Sequence, residues 1–110
     1  MKLTREEALK LHRQMWSDMR EELGDRPSHE ERLEFGYRWI SKHTPECNPL
    51  CNCYLCEYVF QMQIGQMHIG CDSCPIDWGT KDGCVSGEGK IDFRYSPISK
   101  ILALPERKEN

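Results

Sequence analysis

The chain has 110 residues, 38% of them hydrophobic and 30% charged, with a net charge of −3. That length suits one domain, and so polar a composition leaves a modest apolar core that a metal cross-link would reinforce. No apolar run approaches the ~18 residues of a membrane span, and the opening Met1-Lys2-Leu3-Thr4-Arg5 lacks the apolar stretch of a signal peptide. These features point to the cytoplasm, where thiols stay reduced and clustered cysteines favour metal over disulfides. Seven cysteines is also an odd number, which a fully disulfide-paired secreted chain would not carry.

Charge is unevenly spread. Residues 1–46 carry nine Lys/Arg against ten Asp/Glu, whereas residues 47–89 carry Lys81 against Glu57, Asp72, Asp77, Asp82 and Glu88. Residues 90–110 hold five bases against three acids. A four-thiolate zinc centre would add about two further negative charges to the middle segment. Phosphate should be repelled there, which removes the usual electrostatic basis for binding nucleic acid.

In chain order, Thr4 and Glu7 form a capping box, and Gly24 stands where a helix C-terminal glycine is wanted, predicting a helix from Thr4 to Leu23. Ala8, Met15, Trp16, Met19 and Leu23 make its apolar stripe, with Leu11 at the flank. After the turn Asp25-Arg26-Pro27, Ser28 and Glu31 repeat the capping signature and open a second helix to Lys42. Leu33, Tyr37 and Ile40 are its expected core face, with Phe35 and Trp39 beside it, and the short connection implies an antiparallel hairpin. Pro45 and Pro49 break the pattern, a third helix is expected from Tyr54 to about Ile64, and residues 79–89 read as a glycine-rich loop. Ile91-Asp92-Phe93-Arg94-Tyr95 alternates like a short strand, and Ser96-Pro97 looks like the start of a last helix through Leu104.

Chemistry concentrates in the cysteines. Cys53/Cys56 and Cys71/Cys74 are two C-x2-C pairs separated by fourteen residues. Each pair can place two thiolates on one metal, and the spacer lets the pairs face each other, which is the pattern of a tetrahedral structural zinc site. Cys84 is close enough in sequence to replace one of these ligands. Cys47 and Cys51, with His43 or His68 and Cys84, are candidates for a second site, although Pro45 and Pro49 argue against a regular helix presenting them on one face. For His43 the simpler role is a cation at a helix C-terminus, and for His68 an ordinary loop residue. An iron–sulfur cluster and dithiol redox chemistry are alternatives that ligand identity alone does not decide.

Catalysis is not expected. Four thiolates close the coordination shell and leave no position for an activated water. His29-Glu30-Glu31 matches the H-x-E fragment of zinc deaminases, but those enzymes place proline before the C-x2-C pair, where this chain has Gly70 and Asn52. Gly87-Glu88-Gly89-Lys90 is too short for a phosphate loop and reads as a turn. Trp16 and Trp39 read as core. Trp78, with Asp77 and Asp72 around the second cysteine pair, is the candidate partner-binding anchor. Lys90, Arg94 and Lys100 form the one local basic cluster and would carry nucleic-acid contacts if there are any.

Tyr54-Leu55-Cys56-Glu57-Tyr58, then Cys71-x2-Cys74-Pro75-Ile76-Asp77-Trp78 and Cys84, resemble short cysteine-rich proteins encoded by phages and prophages of Gram-positive bacteria. The opening Glu6-Glu7-Ala8-x2-Leu11-His12-x2-Met15-Trp16 is similar to their N-terminal helix, so the resemblance spans most of residues 4–95. It implies a non-enzymatic accessory protein of a virus or its host and carries no catalytic residues across.

The expected architecture is therefore mainly α. An N-terminal helical hairpin (4–43) packs on a cysteine-rich zinc knuckle (47–84), with a short third helix and at most a small β element. Together they form one zinc-stabilised domain over 1–105, ahead of a disordered tail, 106–110. The expected role is a protein-interaction module modulating a host protein. The alternative is a zinc-ribbon nucleic-acid-binding regulator, and a metal-dependent enzyme is the remote third.

Overall fold

The computed structural model describes residues 3–46, 53–62, 75–77 and 93–106. Among these the protein is mainly helical: α1 (Arg5–Leu23), α2 (His29–His43), α3 (Tyr54–Met62) and α4 (Ile98–Leu102). Its radius of gyration, 13.3 Å, is that of a compact domain of this length, for which about 13 Å is typical.

Both N-terminal helices begin as their capping boxes dictate. Thr4 Oγ1 accepts the Glu7 amide at 3.1 Å while Glu7 Oε1 accepts the Thr4 amide at 3.2 Å. Ser28 and Glu31 repeat the exchange at 3.1 and 2.8 Å. α1 ends at Gly24, whose φ of +88° is strained for any residue with a Cβ, and whose amide reaches back to the Arg20 carbonyl. α2 ends at Thr44, directly before Pro45, which disfavours helical backbone in the residue preceding it.

α1 is the hub on which α2, α3 and α4 pack. It buries Ala8, Leu9, His12, Met15, Trp16 and Met19. The apolar stripe thus runs unbroken through position 12, where a histidine fills the gap between Ala8 and Trp16, while Leu11 and Leu23 sit at the flanks. The core face of α2 differs from the expected one. Phe35, Gly36, Trp39 and Ile40 are buried with Arg32, whereas Leu33 and Tyr37 are 37% and 67% exposed. The helix is turned by about one residue, or 100°. Phe35 and Trp39, four apart, bury more apolar surface than Leu33 and Tyr37 could. The side-chain contacts of α2 with α1 fall at one end of the hub: the Arg32 guanidinium lies over the Trp16 ring, Trp39 Nε1 donates to Asp18 at 2.8 Å, and Arg38 approaches Glu22 at 3.7 Å.

The predicted strand is not one where it can be seen. Phe93-Arg94-Tyr95 is a turn, and Ile91 and Asp92 lie outside the described residues. Its two aromatic rings instead flank the His29 imidazole, at 6.0 and 5.9 Å between centroids, and its Phe93 carbonyl is taken by Arg32. Helix α4 starts one residue later than expected, with Pro97 in the cap position and no side-chain cap of its own. The cap comes from the α1–α2 turn: the Asp25 carbonyl accepts the Ile98 amide at 2.8 Å, and the Asp25 carboxylate accepts the Ser99 amide and hydroxyl at 2.7 and 2.9 Å. That backbone hydrogen bond from Ser99 is the main reason the Asp25 carboxyl is held below the usual carboxylate range. The helix stops at Leu102, two residues short of Leu104.

The chain end is used too. Glu106, expected in a disordered tail, makes an isolated antiparallel bridge with Ile76 and meets Arg5 and Arg13 at 3.4 and 3.5 Å. The bridge is the one β pairing among the described residues, and residues 107–110 lie outside them.

Candidate metal centre

Cys53 and Cys56 occupy the first turn of α3. The Cys53 carbonyl accepts the first i→i−4 hydrogen bond of the helix, from the Glu57 amide, at 3.1 Å, and the Cys53 sulfur accepts the Cys56 amide at 3.4 Å. Cys53 therefore stands at the N-cap with its sulfur in the place of a serine hydroxyl. Residues three apart share a helix face, so the two thiols lie on one side of the turn. Both are half-buried, while Tyr54 and Leu55 between them have no exposed surface. The turn is thus anchored by its middle residues and presents its sulfurs at the rim of the core.

The anchoring continues into α2. Tyr54 Oη and Thr44 Oγ1 are 2.6 Å apart, and Thr44 Oγ1 also lies 3.3 Å from the Ile40 carbonyl. The threonine has one hydroxyl proton and a carbonyl only accepts, so Thr44 donates to Ile40 and Tyr54 donates to Thr44. The Trp39 ring meets the Tyr54 ring edge-on at 5.9 Å. Tyr54→Phe is expected to cost about 1 kcal/mol in urea unfolding, because a buried hydroxyl loses its donor. Thr44→Val should cost a similar amount, and the double variant little more than either alone. Additive losses would show that the two hydroxyls do not act together.

Beside the second cysteine pair, Pro75 is buried, Ile76 is 1% exposed within the same apolar cluster as Tyr54 and Leu55, and the Asp77 amide donates to the Pro105 carbonyl at 2.9 Å. Asp77 itself is exposed. Cys71, Cys74, Cys84, Cys47 and Cys51 lie outside the described residues, as do His68, Trp78, Asp72, Lys90 and the 79–89 loop. Among the described residues no three His, Cys, Asp or Glu side chains come together as a metal would require. Cys53 and Cys56 can hold a metal in concert, and its remaining ligands would have to come from beyond those residues.

His43 closes the C-terminus of α2 and is exposed. Its ring stacks on Trp39 at 3.9 Å and 14°, and its Nδ1 is 3.0 Å from the Trp39 carbonyl. A carbonyl cannot donate, so Nδ1 carries the proton and, in the neutral ring, Nε2 keeps the lone pair. His43 also borders a cleft of about 500 Å³ whose floor is Phe35 and Trp39. One wall is acidic, from Asp18, Glu21 and Glu22 of α1; the other is basic, from Arg38, Lys42 and His43 of α2. The sequence signal for those walls was present in the i, i+3, i+4 spacing of the acids and the i, i+4 spacing of Arg38 and Lys42.

Several of the remaining candidates have contacts within the fold. Glu31 of the H-x-E fragment is the capping residue of α2, and the Ser28 amide holds its carboxyl below the ordinary range. Trp16 and Trp39 are each 5% exposed and belong to the core. Arg94 lies over the Tyr95 ring at 5.2 Å, and Lys100 is exposed on α4. One buried titratable group was missed: His12 is 2% exposed, and burial, with a smaller repulsion from Arg13, pushes its pKa down to about 3. No helix among the described residues is long and apolar enough to cross a membrane.

Comparison with known proteins found no matching family model, no matching curated protein and no matching solved structure.

Proposed function

We propose that the chain is a zinc-stabilised protein-interaction module without enzymatic activity, its metal held by Cys53, Cys56, Cys71 and Cys74. The observation that carries this reading is the first turn of α3, where the Cys56 amide points at the Cys53 sulfur and the two residues, three apart, share one helix face. An amide aimed at sulfur stabilises a metal-bound thiolate as it would any anion at a helix start. The reading is further supported by Ile76, which follows Cys74 by two positions and is buried in the same cluster as Tyr54 and Leu55. A residue two positions beyond the second pair thus shares a core with the residues between the first pair, which supports a helical unit packed on a knuckle. Zinc in such a shell contributes its binding free energy to folding and activates no water.

The contact surface in this reading is the acidic segment with Asp72, Asp77 and Trp78, and the partner is a protein. A phage or prophage accessory role in the cytoplasm rests on the resemblance alone. Metal analysis of the reduced full chain tests the site. The expected result is one zinc per chain, abolished by Cys56→Ser and by Cys74→Ser and retained in Cys47→Ser. Two zinc ions per chain would overturn the single-site assignment, and none would remove the metal altogether.

A further inference from the structure

The two described cysteines have a second chemistry open to them. We propose that Cys53 and Cys56 form a thiol–disulfide exchange site that reduces a small disulfide of the glutathione class, closing a Cys53–Cys56 bridge across the first turn of α3. The structure places no disulfide between them. A helical turn separates the Cα atoms of residues i and i+3 by about 5 Å, inside the roughly 4.4–6.8 Å a disulfide spans. The 3.4 Å contact from the Cys56 amide holds the Cys53 side chain on the Cys56 side of the turn, so the bridge forms by a local rotation of side chains. Tyr54 and Leu55, fully buried between them, keep the backbone of the turn in place. The partial exposure of both cysteines leaves an approach for a small disulfide. Buried structural thiols lack such access.

The exchange balances without any further reagent. One cysteine thiolate attacks a sulfur of the substrate, the substrate S–S bond breaks, and one small thiolate leaves. The second cysteine then attacks the mixed disulfide, its S–S bond breaks, and the second small thiolate leaves. Two electrons pass from the protein dithiol to the substrate, and the two cysteine protons end on the two thiols released. A bridged pair has no thiolate for a metal, so exchange would also discharge the zinc site; this last consequence rests on the function proposed above, while the exchange itself does not.

The test uses the full chain, metal-free and zinc-loaded, incubated with oxidised glutathione, quenched with an alkylating agent and mapped by peptide mass spectrometry. A Cys53–Cys56 bridge should be the main intrachain disulfide, reversed by dithiothreitol, and in the loaded protein zinc should be lost in proportion to it. Cys53→Ser keeps a capping oxygen at the head of α3; compared with the wild type in the metal-free arm, where neither chain carries zinc, it should form no bridge there and accumulate a glutathione adduct on Cys56. The proposal is overturned if Cys53 and Cys56 remain alkylated while other cysteines oxidise, or if they bridge mainly to those others. A chain that binds no zinc when reduced defeats the metal reading alone, because the bridge is still read directly in the metal-free arm.

Discussion

Replacing Arg32 with alanine should lower the unfolding free energy by about 2–4 kcal/mol, from the loss of charge-assisted hydrogen bonds to two carbonyls and the cavity left behind. Arg32 is 3% exposed and acts as a clamp. Its Nε donates to the Pro27 carbonyl at 3.0 Å and its Nη1 to the Phe93 carbonyl at 2.9 Å, while the guanidinium lies 5.9 Å from the Trp16 ring centroid. One side chain thus joins the α1–α2 turn, the 93–96 turn and the hub helix. Truncation strands two carbonyl acceptors and opens a cavity above Trp16, each costly by itself. Arg32→Met should recover part of the loss by restoring the aliphatic stem, and Arg32→Lys should not restore wild-type stability, because a single ammonium cannot reproduce the rigid fork. Urea unfolding of the three variants measures this. A loss below about 1 kcal/mol for the alanine variant would mean that the clamp is not a major tie between the segments.

The second large effect is acid destabilisation through His12. Its ring is buried on α1, 6.4 Å from the Trp16 ring, with Arg13 adjacent, and its pKa falls from 6.5 to about 3. The folded state therefore keeps His12 neutral while the unfolded chain takes up a proton near pH 6.5. Stability is fully present above that value and declines as the pH falls towards 3, by about 1.4 kcal/mol per pH unit. Between pH 7.5 and 5.0 the loss is about 2 kcal/mol. Thiolate ligands also lose a bound metal on acidification, so the informative comparison is between variants. His12→Gln should show a smaller drop in urea midpoint over that interval than the wild type. An equal drop would place the acid sensitivity elsewhere.

Elements set by short-range chemistry were legible in the residues. The two capping boxes, the glycine at the end of α1, the proline after α2 and the N-terminus of α3 at Tyr54 each depend on groups within four residues, and each stands where the spacing put it. What misled was chemistry that depends on remote groups. The alternation of Phe93, Arg94 and Tyr95 looked like a strand, but its rings pack on His29 and its backbone is held by Arg32, sixty-one residues away. Ser96 looked like a helix cap, but the cap is Asp25, seventy-four residues from Ser99. The orientation of α2 differs for a related reason: two apolar sets are available on it, and the contacts of Trp39 with Asp18 of α1 and Tyr54 of α3 select the one containing Phe35 and Trp39.

For the candidate centre, the residue spacing alone put Cys53 and Cys56 on one face, since three positions on a helical turn impose a shared face whatever surrounds them; that they share a metal is the proposal made above. The tertiary structure supplied their setting: the amide on the Cys53 sulfur, the Tyr54–Thr44 tie to α2 and the half-buried position of both residues at the edge of the core. It alone decided that a histidine and an arginine are buried. Composition favours polar residues outside, and only the packing of α1 and α2 against the rest shows where a neutral imidazole or a doubly bonded guanidinium can be sustained within the core.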